Sequence, residues 1–518
     1  MASLLTIPLT GLAANDPVPG TYVQIDFAQG PPSGPTTTYG ALILANKITA
    51  SGAATPDTVV YGPYPNSPLP CMIESDVITL FGQGSEGHRM WRRFVKKNPA
   101  TPVFMIAVTE SGGAAATLVV TFTVTATANG SVRFYMGDEF VDTPITSGDT
   151  VTTVATNVAA SINTQGNWPV TANNASGVLT VTAKQKGTRG NWLRGSAVIQ
   201  GSGVGTTSSL TAQTFFTGGT TADSNATALT TILSQRYYYL VSAAEDSTQL
   251  SALSTQVNAQ ALPTSGIRQT IIAASIDTAA NAQTIAIALN QARAELPWCQ
   301  NADRPPSEIA ADMAALYSLG ELPDGLGAPS RHNFDGLGTG ATALDGLWDF
   351  PAPRSGTSQT RNVIKGALNN GVTPIATNAF GQTYLVMRAT TRSLTSAISD
   401  YRIRDPHKVR ILDFYGDALQ AKMSLQFGGK DIIDNPVVGQ VFPENNLVWP
   451  NMALAAINGL TQQWFEDGQF QNAGQGQAMQ SNTVVIREAS PQTRLSARVP
   501  AQPIDVLHQI AIDIQQVA

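Results

Sequence analysis

Charge is what this sequence has least of. Only 13% of its 518 residues are Asp, Glu, Lys or Arg, about half the share usual in soluble domains. A surface so poor in charge is either hidden against partners or tolerant of association. The 30 basic and 36 acidic residues leave a formal charge of -6, which argues against a protein held on nucleic acid by phosphate contacts, since those need a basic excess. Two cysteines, Cys71 and Cys299, are too few for a disulfide framework and lack metal-ligand spacing; both read as buried free thiols. Four histidines, with no His/Cys/Asp cluster at ligand spacing, predict no metal site and no cofactor. No run of about 18 apolar residues occurs, so no membrane span is expected. The apolar start "MASLLTIPLTGLAAND" has no Lys or Arg before Lys47, so it reads as an ordinary arm rather than a signal peptide. The expectation is a soluble chain made in a cytoplasm.

What the sequence does have is Gly, Ala, Thr and Ser, and enough length for three or four domains. Its ends are distinctive. In the closing "PIDVLHQIAIDIQQVA", Ile504, Val506, Ile510, Ile512 and Ile514 fall on alternate positions, with Asp505, Gln509, Asp513 and Gln515 between them. That is the period-two pattern of a half-buried strand, placed where chains normally fray. Near the start, Val23, Ile25 and Phe27 alternate with Gln24 and Asp26 before the brake "AQGPPSGP". Each end offers a short strand with no local partner.

Between them the chain alternates strand and helix patterns. The strand "YGALILA", the amphipathic helix "SEGHRMWRRFVKK" and the buried strand "PVFMIAV" open an α/β domain. From about 113 to 217 the composition turns to Thr, Val, Asn and Gly, with short strands such as "LVVTFTVTA" and "GVLTVTAK" and one helix-like stretch, "TVTTVATNVAASINT"; this reads as an inserted β-rich domain. The α/β style then resumes with "YYYLVSA", "STQLSALSTQVNAQ", "RQTIIAAS", the helix "TAANAQTIAIALNQARAEL" and "SEIAADMAALYSL", which predicts a largely parallel sheet flanked by helices. Residues 321–360 read as a Gly/Pro/Asp-rich excursion. A last α+β domain holds the helix "RNVIKGALNNG", the strand "TYLVMRATT", the long helix "DPHKVRILDFYGDALQAKMSLQF" and the closing stretches "AMQSNTVVIREAS" and "TRLSARVPA".

Three signals carry candidate chemistry. "GQGSEG" satisfies G-x-G-x-x-G at Gly82, Gly84 and Gly87, with Glu110 at about the separation of a ribose-binding acid. The competing reading makes "ESDVITLFG" a short helix with Ser75 as N-cap and Gly82 at its end, and Ser85 the cap of the next helix. Asp277, His332 and Ser358 occur in subtilisin order, but Thr360 stands where the serine motif has Ala and Ser358 follows His332 too closely. A noncatalytic α/β scaffold is the favoured reading. Arg388, Arg392, Arg402, Arg404, Lys408 and Arg410 gather within 23 residues; they form either a solvated helix face or a basic strip that meets an acidic protein.

Several stretches, in order, resemble the contractile tail sheath family of bacteriophages, in its Mu-like branch. They are "PGTYVQIDF", "LFGQGSEGHRMWRRFVKKNP" with its FG-x-GS element, the module from "GDTVTTVATNVAASINT" to "KGTRGN", "LNNGVTPIATNAFGQTYLVMRATTR" followed by "DYRIRDPHKVRILDFY", "NPVVGQVFPENNLVWPNMALAAINGLTQQWFEDGQF", and "SPQTRLSARVPAQPIDVLHQIAIDIQQ". The polar "QNAGQGQAMQSN" departs from the shorter turn expected there.

The resemblance implies a subtilisin-like but noncatalytic central α/β domain (36–112 and 218–360) with an inserted β-rich protruding domain (113–217). To these it adds an N-terminal arm (1–35), a C-terminal α+β domain (361–499) and a C-terminal strand (500–518). It implies a structural subunit of a virion tail, assembled in the host cytoplasm, that stacks as hexameric rings around a tube and contracts to drive the tube through the host envelope. The implied partners are further copies of itself, the tail tube protein, and the baseplate and terminator proteins. Val23, Ile25 and Phe27 of one copy, with Ile504, Val506, Ile510, Ile512 and Ile514 of another, would complete one sheet by strand addition. The connections "AQGPPSGP" and "SARVPAQP" would bend during contraction, and Arg402, Arg404, Lys408 and Arg410 would face the tube. A surface adhesin or fibre subunit is the alternative, and a subtilisin-like hydrolase a further one.

Overall fold

The computed structural model describes residues 40–60, 73–205, 212–233, 235–262, 265–320, 350–354, 359–377, 381, 383–395, 398–440, 446–471, 479–489 and 493–504. Its helices are α1 (Glu74–Phe81), α2 (Glu86–Lys97), α3 (Val151–Asn163), α4 (Ala226–Thr231), α5 (Ser247–Gln260), α6 (Ala279–Leu289), α7 (Pro306–Gly320), α8 (Arg361–Asn369), α9 (Pro406–Phe427) and α10 (Pro450–Glu466). Among the described residues, no helix is long and apolar enough to cross a membrane.

The apolar runs of the α/β part build one six-stranded sheet, in the order Ala294–Glu295, Thr270–Ile272, Tyr239–Ser242, Ala41–Asn46, Val103–Val108, Val59–Val60. The first five strands are parallel and the last is an antiparallel edge. A parallel sheet is covered on both faces, so its strands are continuously apolar rather than alternating, and all six residues of Ala41–Asn46 and of Val103–Val108 are buried. Ile43, Met105 and Val241 face one core, filled by α1, α2, α7 and the aromatic residues of α9 and α10. Leu42, Phe104 and Leu240 face the other, filled by α4, α5, α6 and Ala367 of α8.

Two local expectations are corrected. The helix read through "TAANAQTIAIALNQARAEL" stops at Leu289, where Asn290 takes the left-handed conformation (φ 38°), which Asn tolerates better than most residues. Ala294–Glu295 then pairs with Ile271–Ile272 as the edge of the sheet. Ser75 does not cap α1: the capping position is Ile73, with no side-chain cap. Glu74 and Asp76 in the first turn favour that helix end through its partial positive charge.

The Thr-rich stretch forms two antiparallel sheets around a core of its own, which holds Val132, Phe134, Val154, Val158, Leu179 and Val181. One sheet runs Ala115–Thr121, Val178–Lys186, Val170–Ala175, and the other Thr214–Phe215, Arg194–Gln200, Gly130–Met136, Glu139–Ile145, with α3 packed on the first. Ser176 and Gly177 both have positive φ (52° and 86°), as a two-residue hairpin turn of the right twist requires. The module enters and leaves along paired backbone, with the Thr117 amide donating to the Thr217 carbonyl at 2.8 Å.

In the C-terminal part, Thr373–Thr377 pairs with both Pro297–Trp298 and Thr383–Leu385. Helices α9 and α10 enclose an aromatic cluster of Tyr415, Trp464 and Phe470, with ring centroids 5.0–5.6 Å apart. The hairpin Val484–Arg487 with Leu495–Arg498 lies beside α10.

Candidate functional site: chain ends and charged junctions

Of the residues expected to exchange between copies, Val23, Ile25, Phe27, Val506, Ile510, Ile512 and Ile514 lie outside the described residues. Ile504 is described, and it is held by its own chain. Its amide donates to the Gln469 carbonyl at 3.1 Å, its carbonyl lies 2.9 Å from His407 Nε2, and its side chain packs on the main core with Val499 and Ala501. Phe470 and Pro503 form a further bridge. The connection "SARVPAQP" is therefore corrected: Ser496–Arg498 is hairpin strand, and the residues through Ile504 are fastened by hydrogen bonds and apolar contacts. Within the described chain, Val484 and Ile486 of that hairpin project into solvent.

The basic strip divides. Arg410 is 2% exposed and cannot face a tube from this position. Glu295, at the sheet edge, is equally buried; Arg388 grips it in a fork (2.9 and 2.6 Å) and Arg410 joins at 3.5 Å. Arg388 also lies 3.7 Å over the Tyr317 ring, and Arg410 bonds the Thr270 hydroxyl. A buried carboxylate needs such partners, and α9 supplies one by turning Arg410 inward. Arg402 remains outside, paired with Asp400 at 2.9 Å, while Arg404 and Lys408 are half-buried. Residue patterns alone missed the rest of the α9 face: Asp413 takes Arg293 (2.5 Å), and Asp417 takes Arg236 (2.7 Å) and Arg268 (2.5 Å). The spacing Arg410, Asp413, Asp417 puts all three on one side of the helix and was the available signal.

"GQGSEG" forms the seat of the inserted module. It connects α1 to α2, with Gly82 and Gly84 at φ 86° and 79° and the Ser85 hydroxyl accepting from the His88 amide at 3.0 Å. A Cβ on Gly84 would lie 2.4 Å from the Trp168 carbonyl of the module. Lys184 donates to the carbonyls of Gln83 (3.2 Å) and Gly166 (2.9 Å), and Gln83 donates to Asn167 (3.1 Å). With its backbone covered in this way, the turn has no face for a pyrophosphate. Glu110, the candidate ribose acid, accepts from the Thr49 hydroxyl (2.6 Å) and the Lys186 amide (2.8 Å). The buried His88 accepts from the Gly84 amide at Nδ1 and faces Glu74 with Nε2 at 3.0 Å; burial holds it below the usual imidazole range despite Glu74.

Two ionic junctions complete the seat. In one, Arg189 of the module pairs with Glu86 (2.7 Å) and Asp223 (3.1 Å). In the other, Asp138 at a module hairpin tip receives Arg304 (2.7 Å) and Arg93 (3.3 Å). Burial pushes the Asp138 carboxyl up, but Arg304 and Arg93 outweigh it and hold it below the usual range. Arg194 pairs with Asp303 at 3.5 Å, and burial raises Asp303 to about 6 against the pull of Arg194 and Arg354.

Of the triad-like residues, His332 and Ser358 lie outside the described residues. The Asp277 carboxylate serves the start of α6, accepting from the Thr278 amide (2.6 Å) and Asn281 (2.7 Å). Cys299 is buried and free, its thiol pushed up to about 12 by desolvation; Cys71 lies outside the described residues. Among the described residues, no three His, Cys, Asp or Glu converge as metal ligands.

No family model matches the chain. A stretch of 175 residues, 34% of the chain, is 30% identical to the Mu-like prophage FluMu tail sheath protein of Haemophilus influenzae. Part of this chain is similar to a phage tail sheath protein. The matched stretch spans about a third of that relative's length (34%). Similar solved structures include the sheath tail protein of Desulfitobacterium hafniense (12% identity, TM-score 0.46, covering 94% of this chain and 97% of that one). The sheath tail protein of Listeria innocua gives 14%, 0.46, 90% and 92%. The sheath complex of an extracellular contractile injection system in its contracted state gives 10%, 0.43, 96% and 97%. At such scores the arrangement of modules rests on this chain's own strands and registers. The tail-sheath similarity found here names the same family as the motifs read from the sequence.

Proposed function

We propose that the chain is a structural, noncatalytic subunit of a contractile phage tail sheath. The observation that carries the reading is the 175-residue similarity to a tail sheath protein at 30% identity. The ordered motifs of the sequence and the unusually low charge support it. In this reading, copies stack as hexameric rings around a tail tube within a virion and contract against a baseplate to drive the tube through the host envelope.

Strand addition links the copies. Val23, Ile25 and Phe27 from one neighbour, and Val506, Ile510, Ile512 and Ile514 from another, add to the sheet edge beside Val484–Arg487. Backbone hydrogen bonds give affinity, and the alternating side chains give register. Such contacts are heterologous and propagate into rings or helices. Because the chain is fastened to its own domain through Ile504, the hinge of this exchange lies after Ile504. The surface offered to the tube is Arg402, with the half-buried Arg404 and Lys408. Charge reversal at Arg402 and Arg404 is expected to impair growth of sheath on a tube while leaving the fold intact; normal growth would remove that assignment. Assembly itself is tested by electron microscopy of the purified chain, where sixfold tubes support the reading and an isolated trimer returns the adhesin alternative.

A further inference from the structure

The end of α10 decides how far the chain can pair with its own domain. At Gly468 (φ 70°) the helix closes: the Gly468 amide donates to the Phe465 carbonyl at 3.0 Å and the Gln469 amide to the Trp464 carbonyl at 2.9 Å. These are the paired bonds by which a left-handed glycine turns a chain out of a helix. The next three residues then meet the end of the described chain. The Ile504 amide donates to the Gln469 carbonyl and the Gln471 amide to the Gln502 carbonyl, both at 3.1 Å, with Phe470 opposite Pro503. In an antiparallel ladder those bonds bracket a pair that exchanges none of its own, so Pro503 loses nothing by lacking an N–H. A regular ladder would complete the outer pair with a bond from the Gln469 amide to the Ile504 carbonyl, but that amide is already spent on closing α10. His407 supplies the donor instead. Its Nε2 lies 2.9 Å from the Ile504 carbonyl oxygen, and since a carbonyl only accepts, Nε2 carries the hydrogen.

We infer that His407 is a positioning residue for strand addition: it ends the pairing of the chain with its own domain at Ile504 and fixes the point from which the following residues reach a neighbouring copy. The inference rests on the strand-exchange reading above and names the residues that set its geometry. Continued in the same register, Asp505 and Val506 would stand opposite Gly468 and Asp467. There the backbone is a left-handed turn and a helix end, and both amides are committed to α10, to Phe465 and to Gln463 at 2.9 Å. The domain therefore has no backbone to offer past Ile504, although the apolar alternation of the sequence runs on through Val506 to Ile514. Up to Ile504 the seat is firm. His407 is 5% exposed and is the second residue of α9, the Gln502 amide lies 3.3 Å from Met479 Sδ, the Gln471 side chain donates to the Pro503 carbonyl at 3.4 Å, and Val499, Ala501 and Ile504 pack on the core that holds Phe470.

Amide hydrogen exchange of the full chain, in unassembled subunits at low concentration and in tubes, tests it together with electron microscopy. In wild-type subunits the amides of Gln471 and Ile504 are expected to be protected and those past Ile504 to exchange near their intrinsic rates, slowing on assembly. Protection that runs on past Ile504 in the subunit overturns the inference. His407→Leu, which removes the donor and keeps the bulk, is expected to speed exchange at Ile504 by about five- to tenfold, the worth of one net hydrogen bond, and to lower the yield and regularity of tubes. His407→Gln, whose side-chain amide can donate to the same carbonyl, is expected to restore both. Wild-type tubes from His407→Leu, or no rescue by His407→Gln, overturn the positioning role. If His407→Leu does not fold, the wild-type exchange boundary still decides. Failure of the sheath reading is separate: it shows as the absence of tubes from the wild type, and takes this inference with it.

Discussion

Glu295 sits at the edge strand of the central sheet with Arg388 on both oxygens and Arg410 beside them. Removing a partner from such a pair strands a buried charge, so Arg388→Ala is expected to lower unfolding free energy by about 3–5 kcal/mol, read by denaturant titration. Arg402→Ala removes an exposed guanidinium from the buried Asp400, which keeps the Thr395 hydroxyl as a donor, and is expected to lower the midpoint by less than Arg388→Ala does. Gly84 combines positive φ with a 2.4 Å approach to the Trp168 carbonyl. Gly84→Ala is expected to cost about 1–3 kcal/mol in backbone strain, with exchange protection lost first at the module's seat. Asp303, raised to about 6 by burial, keeps its proton in the folded state after the unfolded chain has lost it. Its contribution to stability therefore falls as pH climbs from about 4 to 6, and Asp303→Asn should flatten that part of the stability profile. The sequence showed these arginines as a cluster but not their partners. Glu295 is remote along the chain from Arg388, and only the sheet edge brings them together.

At the scale of elements, continuous apolar runs such as "ALILA" and "VFMIAV" were legible as strands of a doubly covered sheet because burial on both faces leaves no other pattern. Helix α5 was equally clear from its spacing. What misled was polar sequence at element ends: "NQARAE" carries helix formers, yet the left-handed Asn290 breaks the helix, and pairing with Ile271–Ile272 claims Ala294–Glu295 as strand. "SARVPAQP" read as a flexible connection because its small residues and prolines show no apolar face, whereas hairpin pairing and the Gln469 and His407 contacts hold it. The Thr-rich module carries its own core and has adjacent ends. Replacing residues 115–216 by a short Gly/Ser linker should leave the central sheet folded, checked by calorimetry and by exchange protection at 41–46 and 103–108. Loss of that protection would show that the module's ion pairs are required for the body to fold.

For the whole molecule, low charge, strand patterns at both ends and a body that is well packed without them together favour a subunit that completes its sheets with neighbours. The module boundaries follow composition, because a Thr/Val-rich antiparallel unit and an Ala/Leu-rich parallel one bury their backbones differently. The ionic seat between them left no pattern in the sequence, since its members Glu86, Asp138, Arg189, Asp223 and Arg304 lie far apart along the chain. The measurement that bears most directly on the central claim is negative-stain microscopy of the full chain beside a version ending at Ile504, which keeps every described contact of the C-terminal domain. The account predicts sixfold tubes from the full chain and folded, unassembled subunits from the shortened one. Tubes from both, or from neither under every condition tried, would contradict it.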